Sequence, residues 1–170
     1  FPIARDQQRI TIANIMPNQP LPFYGYDSWN AYELPWLNPK GKPQVSIAEF
    51  IIPCTSAYLI ESKSLKLYLN SLNQTIFKDT NHLIQTITQD LSAAAQAPIT
   101  TTLTPLNQPT SLSTPPGICL DTLDIQITDY QRQPNTLQTT ASSPIQETLH
   151  SNLLKSNCPV TGQPDWATII

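Results

Sequence analysis

Aromatic and aliphatic residues recur at Tyr26, Trp29, Tyr32, Trp36 and Leu37, a β-favouring set that predicts a strand over 26–37. The run Asn38-Pro39-Lys40-Gly41-Lys42-Pro43 that follows is a turn, because proline and glycine punctuate a chain there. Val45 to Ile52 reads as a second strand, so the two form an antiparallel hairpin. Pro35 lies inside the first strand, which suits an edge strand or a bulge, since proline cannot donate to a ladder. The period then changes. Leu65, Leu69, Leu72 and Ile76 are spaced as on one helical face, predicting a helix over about 60–74, with Lys63, Lys66 and Asn70 on another face. Asp79 or Thr80 caps a second helix whose apolar stripe is Leu83, Ile84, Ile87 and Leu91.

Two further strands are expected, at 99–106 and at 123–127, the second from its clean alternation of Leu123, Ile125 and Ile127 with Asp124, Gln126 and Thr128. The order β-β-α-α-β-β implies an α+β fold, an antiparallel sheet with helices on one face. Residues 1–22, rich in Pro, Asn and Gln, read as an extended arm. Residues 131–142 read as a polar linker. Ser143-Pro144 with Gln146 starts a third helix by capping-box logic, with Ile145, Leu149 and Leu153 as its stripe. The apolar run Trp166 to Ile170 reads as one more strand with no turn residue after it, so the chain is expected to be part of a longer protein. The organisation expected is an arm over 1–22, a module over 23–130, a linker and helix over 131–155, and the start of a second module over 156–170.

Composition narrows the function. Charged residues make up 12% of the 170 positions, about half the usual share, and the net charge is −3, which argues against a nucleic-acid binder with a basic face. No stretch approaches the roughly 18 apolar residues of a membrane span, and Arg5, Asp6 and Arg9 interrupt the apolar start, so no signal peptide is visible. The three cysteines, Cys54, Cys119 and Cys158, form no CxxC and no zinc spacing, so no metal site is expected and a reducing, cytoplasmic compartment is. Only four glycines are present, and neither a dinucleotide fingerprint nor a P-loop fits.

Two segments carry candidate chemistry. Cys158 precedes Pro159 in a loop, with Asp165 seven residues on. A thiol attacks as thiolate, and Asp165 supplies a proton if the turn at Thr161-Gly162 folds it back. The alternative is a buried loop cysteine and a turn aspartate. Glu61-Ser62-Lys63-Ser64-Leu65-Lys66 brings a carboxylate, hydroxyls and ammonium groups to a helix start, where free N–H groups and the dipole favour anions. Glu61 is also suited to accept paired N–H donors of a purine-like ring. The alternative is an exposed helix with ion pairs along its surface. His82 and His150 lack ligand partners and read as surface residues, Cys54 and Cys119 as structural, and Trp29, Tyr32 and Trp36 as core.

These two segments resemble a known family. Leu59-Ile60-Glu61-Ser62-Lys63-Ser64-Leu65-Lys66-Leu67-Tyr68-Leu69-Asn70-Ser71 is similar to the signature of the NADPH-dependent 7-cyano-7-deazaguanine reductases, with Leu65 where the long type often has Phe. Leu153 through Trp166, containing Ser156-Asn157-Cys158-Pro159-Val160-Thr161-Gly162, resembles their active-site segment. Tyr26-Asp27-Ser28-Trp29, Trp36-Leu37-Asn38 and Asn73-Gln74-Thr75 match as well. The order of the motifs is that of the two-module type, over residues 23–170. The resemblance implies a tunnelling fold (T-fold) with the start of a second T-fold module. It implies reduction of the nitrile of 7-cyano-7-deazaguanine to an aminomethyl group through a covalent cysteine thioimide, in queuosine biosynthesis for tRNA modification.

By position, the resemblance implies that Cys158 is the nucleophile and Asp165 the proton donor, that Ile60, Glu61 and Ser62 contact the substrate, and that Ser62 and Lys63 contact NADPH. The full-length protein is expected to be a homodimer that binds no nucleic acid directly. The family's His-Glu and Arg-Gly segments do not occur within the 170 residues, so this piece alone is expected to be inactive or poorly folded. Two other readings remain: a non-catalytic T-fold binding or assembly subunit, and a thiol hydrolase of a nitrile or amidine.

Overall fold

The structure is a computed structural model, which describes residues 2–17, 19–108, 114–131, 136, 138, 143–157 and 162–170. The chain divides into two compact units, Phe1–Thr110 and Ser111–Ile170. The first unit takes in the N-terminal segment.

The expected extended arm is instead a short strand and a helix. Strand β1 (Pro2–Ala4) leads into α1 (Arg5–Ala13). The prolines of this segment lie at 2, 17, 20 and 22, so none interrupts 5–13. Asp6 and Arg9 pair across one turn at 3.0 Å, and Asn14 ends the helix in the left-handed region at φ 54°. The Arg5 guanidinium donates to Ser56 Oγ (2.9 Å) and pairs with Asp27, and Arg9 donates to the Cys54 carbonyl. Ser56, fully buried, passes the chain on by donating to the Tyr58 carbonyl at 3.0 Å. Composition suggested an extended arm here, but long-range hydrogen bonds hold the helix in place.

The hairpin forms as expected. β2 (Tyr26–Leu37) and β3 (Pro43–Pro53) pair antiparallel, and β5 (Thr100–Pro105) adds to the far side of β3, giving the order β2-β3-β5. β4 (Tyr58–Ile60) pairs with β1 in a separate two-stranded ribbon. The register runs Trp29↔Phe50 and Ala31↔Ala48, then resumes at Leu34↔Ser46. Three residues of β2 therefore span two of β3, one extra residue in the edge strand, and Pro35 sits just past it. That extra residue changes the phase of β2. Without it Glu33 and Pro35 would share a face with Trp29 and Ala31; with it Leu34 and Trp36 do, and both are buried.

Helices α2 (Ser62–Ser71) and α3 (Thr80–Ala95) supply the other side of the core. A 3₁₀ turn over Leu72–Gln74 follows α2. Leu65, Leu69 and Leu72 join Leu83, Ile87 and Leu91 in one cluster with Leu34, Trp36, Ala48, Phe50 and Ile52. Asp79 caps α3 by accepting from the His82 N–H at 2.8 Å, as its sequence position predicts. Ile76, read as the end of the α2 stripe, lies beyond the 3₁₀ turn and stays exposed.

The second unit departs more from expectation. The alternating segment 123–127 forms no strand among the described residues, and Leu123, Ile125 and Ile127 are exposed. Alternation marks a strand only when a partner edge supplies hydrogen bonds, and no described strand pairs with it. The expected third helix is also absent. Its C-terminal half is β7 (Leu149–Asn157), which pairs antiparallel with β8 (Pro164–Ile169) and parallel with the two-residue β6 (Ile118–Cys119). Ladder pairing overrides the helical spacing of Leu149 and Leu153. The strand expected at 166–170 is present as β8.

Candidate active site

In the first unit the site is built on the entry to α2. β4 delivers Ile60, buried, and the chain turns into the helix at Glu61, whose backbone is extended at φ −70° and ψ 133°. Its carboxylate folds over the first turn. The Lys63 N–H donates to Oε1 at 2.9 Å; the Ser64 N–H and hydroxyl both donate to Oε2, at 2.7 and 2.8 Å. Glu61 is thus the N-cap, and its spacing to Ser64 is that of a capping box with the residue types exchanged. The Ser64 hydroxyl, then the two N–H groups, hold the Glu61 carboxyl below its ordinary range. This corrects the sequence reading of the helix start as an open anion site: the Lys63 and Ser64 N–H groups are occupied by the chain's own carboxylate.

Beside it lies a cleft of about 1080 Å³. Ser62, Lys66 and Asn70, four residues apart, line it as a polar row from α2, and Trp29 and Tyr32 of β2 and Phe50 of β3 line it from the sheet. Trp29 and Tyr32 are half-buried and exposed respectively, so of the three aromatics read as core only Trp36 is fully so. Sequence reasoning missed this cleft. The four-residue spacing of Ser62, Lys66 and Asn70 was its available signal, but which strand faces that row is decided by the sheet. Lys63 is exposed and outside the cleft lining.

The expected cofactor, a dinucleotide phosphate, needs positive charge and hydrogen-bond donors. Ser62, Lys63 and Lys66 supply a hydroxyl and two ammonium groups on consecutive turns, so the donor set fits. With two helix N–H groups occupied by Glu61, phosphate oxygens would rest on side chains.

In the second unit, Asp165 stands at the start of β8. The register is Ser156↔Asp165 and Asn157↔Pro164, so the strand folds Asp165 back beside the last residues of β7. Cys158 follows Asn157 directly in sequence and lies outside the described residues, with Pro159, Val160 and Thr161. One pair further from the turn, the Lys155 ammonium sits over the Trp166 ring at 5.8 Å from its centroid. Asp121 braces the hairpin from a 3₁₀ turn (Leu120–Thr122), accepting from Ser151 Oγ at 2.6 Å and from the Asn152 backbone and side-chain N–H groups, both at 3.0 Å. Those bonds, the Ser151 hydroxyl first, hold its carboxyl below the usual range. His150, expected on the surface, is buried, and its Nδ1–H donates to the Pro116 carbonyl at 3.0 Å. His82 is exposed, and Cys54 and Cys119 are half-buried free thiols. Among the described residues no group of three or more His, Cys, Asp or Glu is placed to hold a metal ion. No described helix is long and apolar enough to cross a membrane.

Residues 1–103 match the family described as nitrile reductase, 7-cyano-7-deazaguanine-reductase N-terminal, and the chain belongs to that family. Its curated relatives carry a fuller name. A protein of Coxiella burnetii named NADPH-dependent 7-cyano-7-deazaguanine reductase is 53% identical over 99% of this chain and 60% of its own length. One of the same name from Dechloromonas aromatica is 51% identical over 100% of this chain and 60% of its own length. The chain therefore spans about 60% of the length of the curated relatives it matches.

Proposed function

We propose that this chain is the N-terminal part of an NADPH-dependent reductase that converts the nitrile of 7-cyano-7-deazaguanine into a primary amine. In this reading residues 23–130 are built around a T-fold module, and residues 156–170 open a second one. Membership of the nitrile reductase family, with identity above one half across the whole chain, supports the activity. The β7–β8 register carries the mechanism, since the residue before Cys158 pairs with the residue before Asp165. A thiol together with an acid suits addition to a polarised triple bond.

The chemistry follows from these groups. The Cys158 thiolate adds to the nitrile carbon, a C–S bond forms, one C–N π bond breaks, and its electron pair goes to nitrogen. Asp165 delivers a proton to that nitrogen, and the product is a thioimide on Cys158. NADPH supplies hydride, two in all, so that nitrile, two NADPH and two protons give amine and two NADP⁺. Covalent attachment holds the substrate through the first reduction; the nitrogen lone pair then expels the Cys158 thiolate, breaking the C–S bond, and the resulting imine is the species reduced second. Ile60, Glu61 and Ser62 contact the ring, Glu61 as an acceptor for ring N–H, and Ser62 and Lys63 take the cofactor phosphates.

The test is adduct formation in the full-length protein. Mixed with the nitrile and no NADPH, it gains the mass of one substrate on Cys158, and Cys158→Ala does not. Absence of that adduct would sink the proposal and favour a binding subunit. Acid or ammonia as product, with no NADPH consumed, would identify a hydrolase instead.

A further inference from the structure

We propose that Ser64 is a positioning residue that holds the Glu61 carboxylate oriented for the ring N–H donor; this rests on the reading of Glu61 as a substrate contact. A carboxylate offers about four acceptor sites. Three are filled in this structure, one by the Lys63 N–H and two by Ser64, which leaves one on Oε1 for an outside donor. The backbone donors are fixed by the helix and would hold any N-cap side chain. The Ser64 hydroxyl is the one donor in the set that a side-chain substitution removes cleanly. Ser64 itself is half-buried beside the core leucine Leu65, so its Oγ is held toward the cap and not toward water.

The ionised state matters because a protonated Glu61 would place a donor against a ring N–H. Few other charges act there. On α2 the ionisable neighbours are Lys63 and Lys66. β4 offers Tyr58, and β1, paired with it, has none. α3 carries His82, edge-on to Phe77, and Asp90, bonded by the Tyr68 hydroxyl. Ser64 is the largest single reason that Glu61 titrates low.

The experiment is steady-state kinetics of full-length protein across the acid pH range, comparing Ser64→Ala, Ser64→Thr and Glu61→Gln with the parent. In Ser64→Ala the acid-side fall in kcat/KM for the nitrile moves to higher pH. Its KM for the nitrile rises about 3–10-fold with kcat nearly unchanged, the worth of one hydrogen bond. Ser64→Thr, which keeps the hydroxyl, restores both. A loosened helix alone would lower thermal stability without moving the acid limb. An unchanged acid limb in Ser64→Ala, or no recovery in Ser64→Thr, overturns the role of Ser64 while a raised KM in Glu61→Gln keeps the substrate contact. An unchanged KM in Glu61→Gln overturns both.

Discussion

Phe50→Ala tests the register on which the cleft depends. Phe50 is fully buried in the central strand β3, opposite Trp29 on one side and Thr101 on the other. Removing the ring forfeits its transfer energy and leaves a cavity, together about 3–5 kcal/mol for a buried Phe→Ala. Ile51, next along, faces the other side of the sheet and is only half-buried, so Ile51→Ala should cost about 1–2 kcal/mol. Urea unfolding of the full-length protein, read by Trp29 and Trp36 fluorescence in a Trp166→Phe background, measures both. With a slope of about 1.5 kcal/mol per molar, Phe50→Ala lowers the midpoint by about 2–3 M and Ile51→Ala by about 1 M. If Ile51→Ala proves as costly as Phe50→Ala, or more so, the reasoning fails. A one-residue slip of β3 would turn Ile47, Glu49 and Ile51 inward and leave Phe50 outside the core.

Three further predictions use other parts of the molecule. Burial, and then the bond to Asp90, raises the Tyr68 hydroxyl above its ordinary value, so its contribution is complete below about pH 10 and falls away as pH rises beyond it. Tyr68→Phe should flatten the loss of stability in alkaline melts, and an unchanged alkaline slope would count against the Tyr68–Asp90 contact. Asp79→Ala removes the α3 cap and should lower stability by about 1 kcal/mol in urea titration, with Asp79→Asn recovering most of it; equal values for the two would argue against the His82 N–H bond. Asp165→Asn should lower kcat for NADPH oxidation by about 10²–10⁴-fold while Cys158 remains alkylatable by iodoacetamide, and a kcat within threefold of the parent would remove Asp165 from the chemistry.

Much of the first unit was legible because its local signals agree. The Asn38–Pro43 turn, the Asp79 cap and the leucine spacings of α2 and α3 each name one element, and each forms. Segments failed where local signals were weak or depended on a distant partner. Residues 5–13 look polar and loop-like, but Arg5 and Arg9 find Asp27, Ser56 and the Cys54 carbonyl more than 20 residues away. Leu149 and Leu153 carry a helical spacing, but β8 offers their backbone a ladder. Leu123 to Ile127 carry a strand spacing, but no described strand offers them one.

The sequence by itself determined the chemistry on offer: Glu61-Ser62-Lys63 at a helix entry, and Cys158 with Asp165 across a short segment. Those are properties of residue type and spacing, which survive any uncertainty about packing. Only the tertiary structure decided what each group does first. It spends two helix N–H groups and the Ser64 hydroxyl on Glu61, turns Ser62, Lys66 and Asn70 toward Trp29 and Tyr32, and lays Asp165 back along β7. The physical reason is that a hydrogen bond or a facing wall belongs to two segments at once. A sequence read from one end to the other states what each segment carries, and the fold alone states which segments meet.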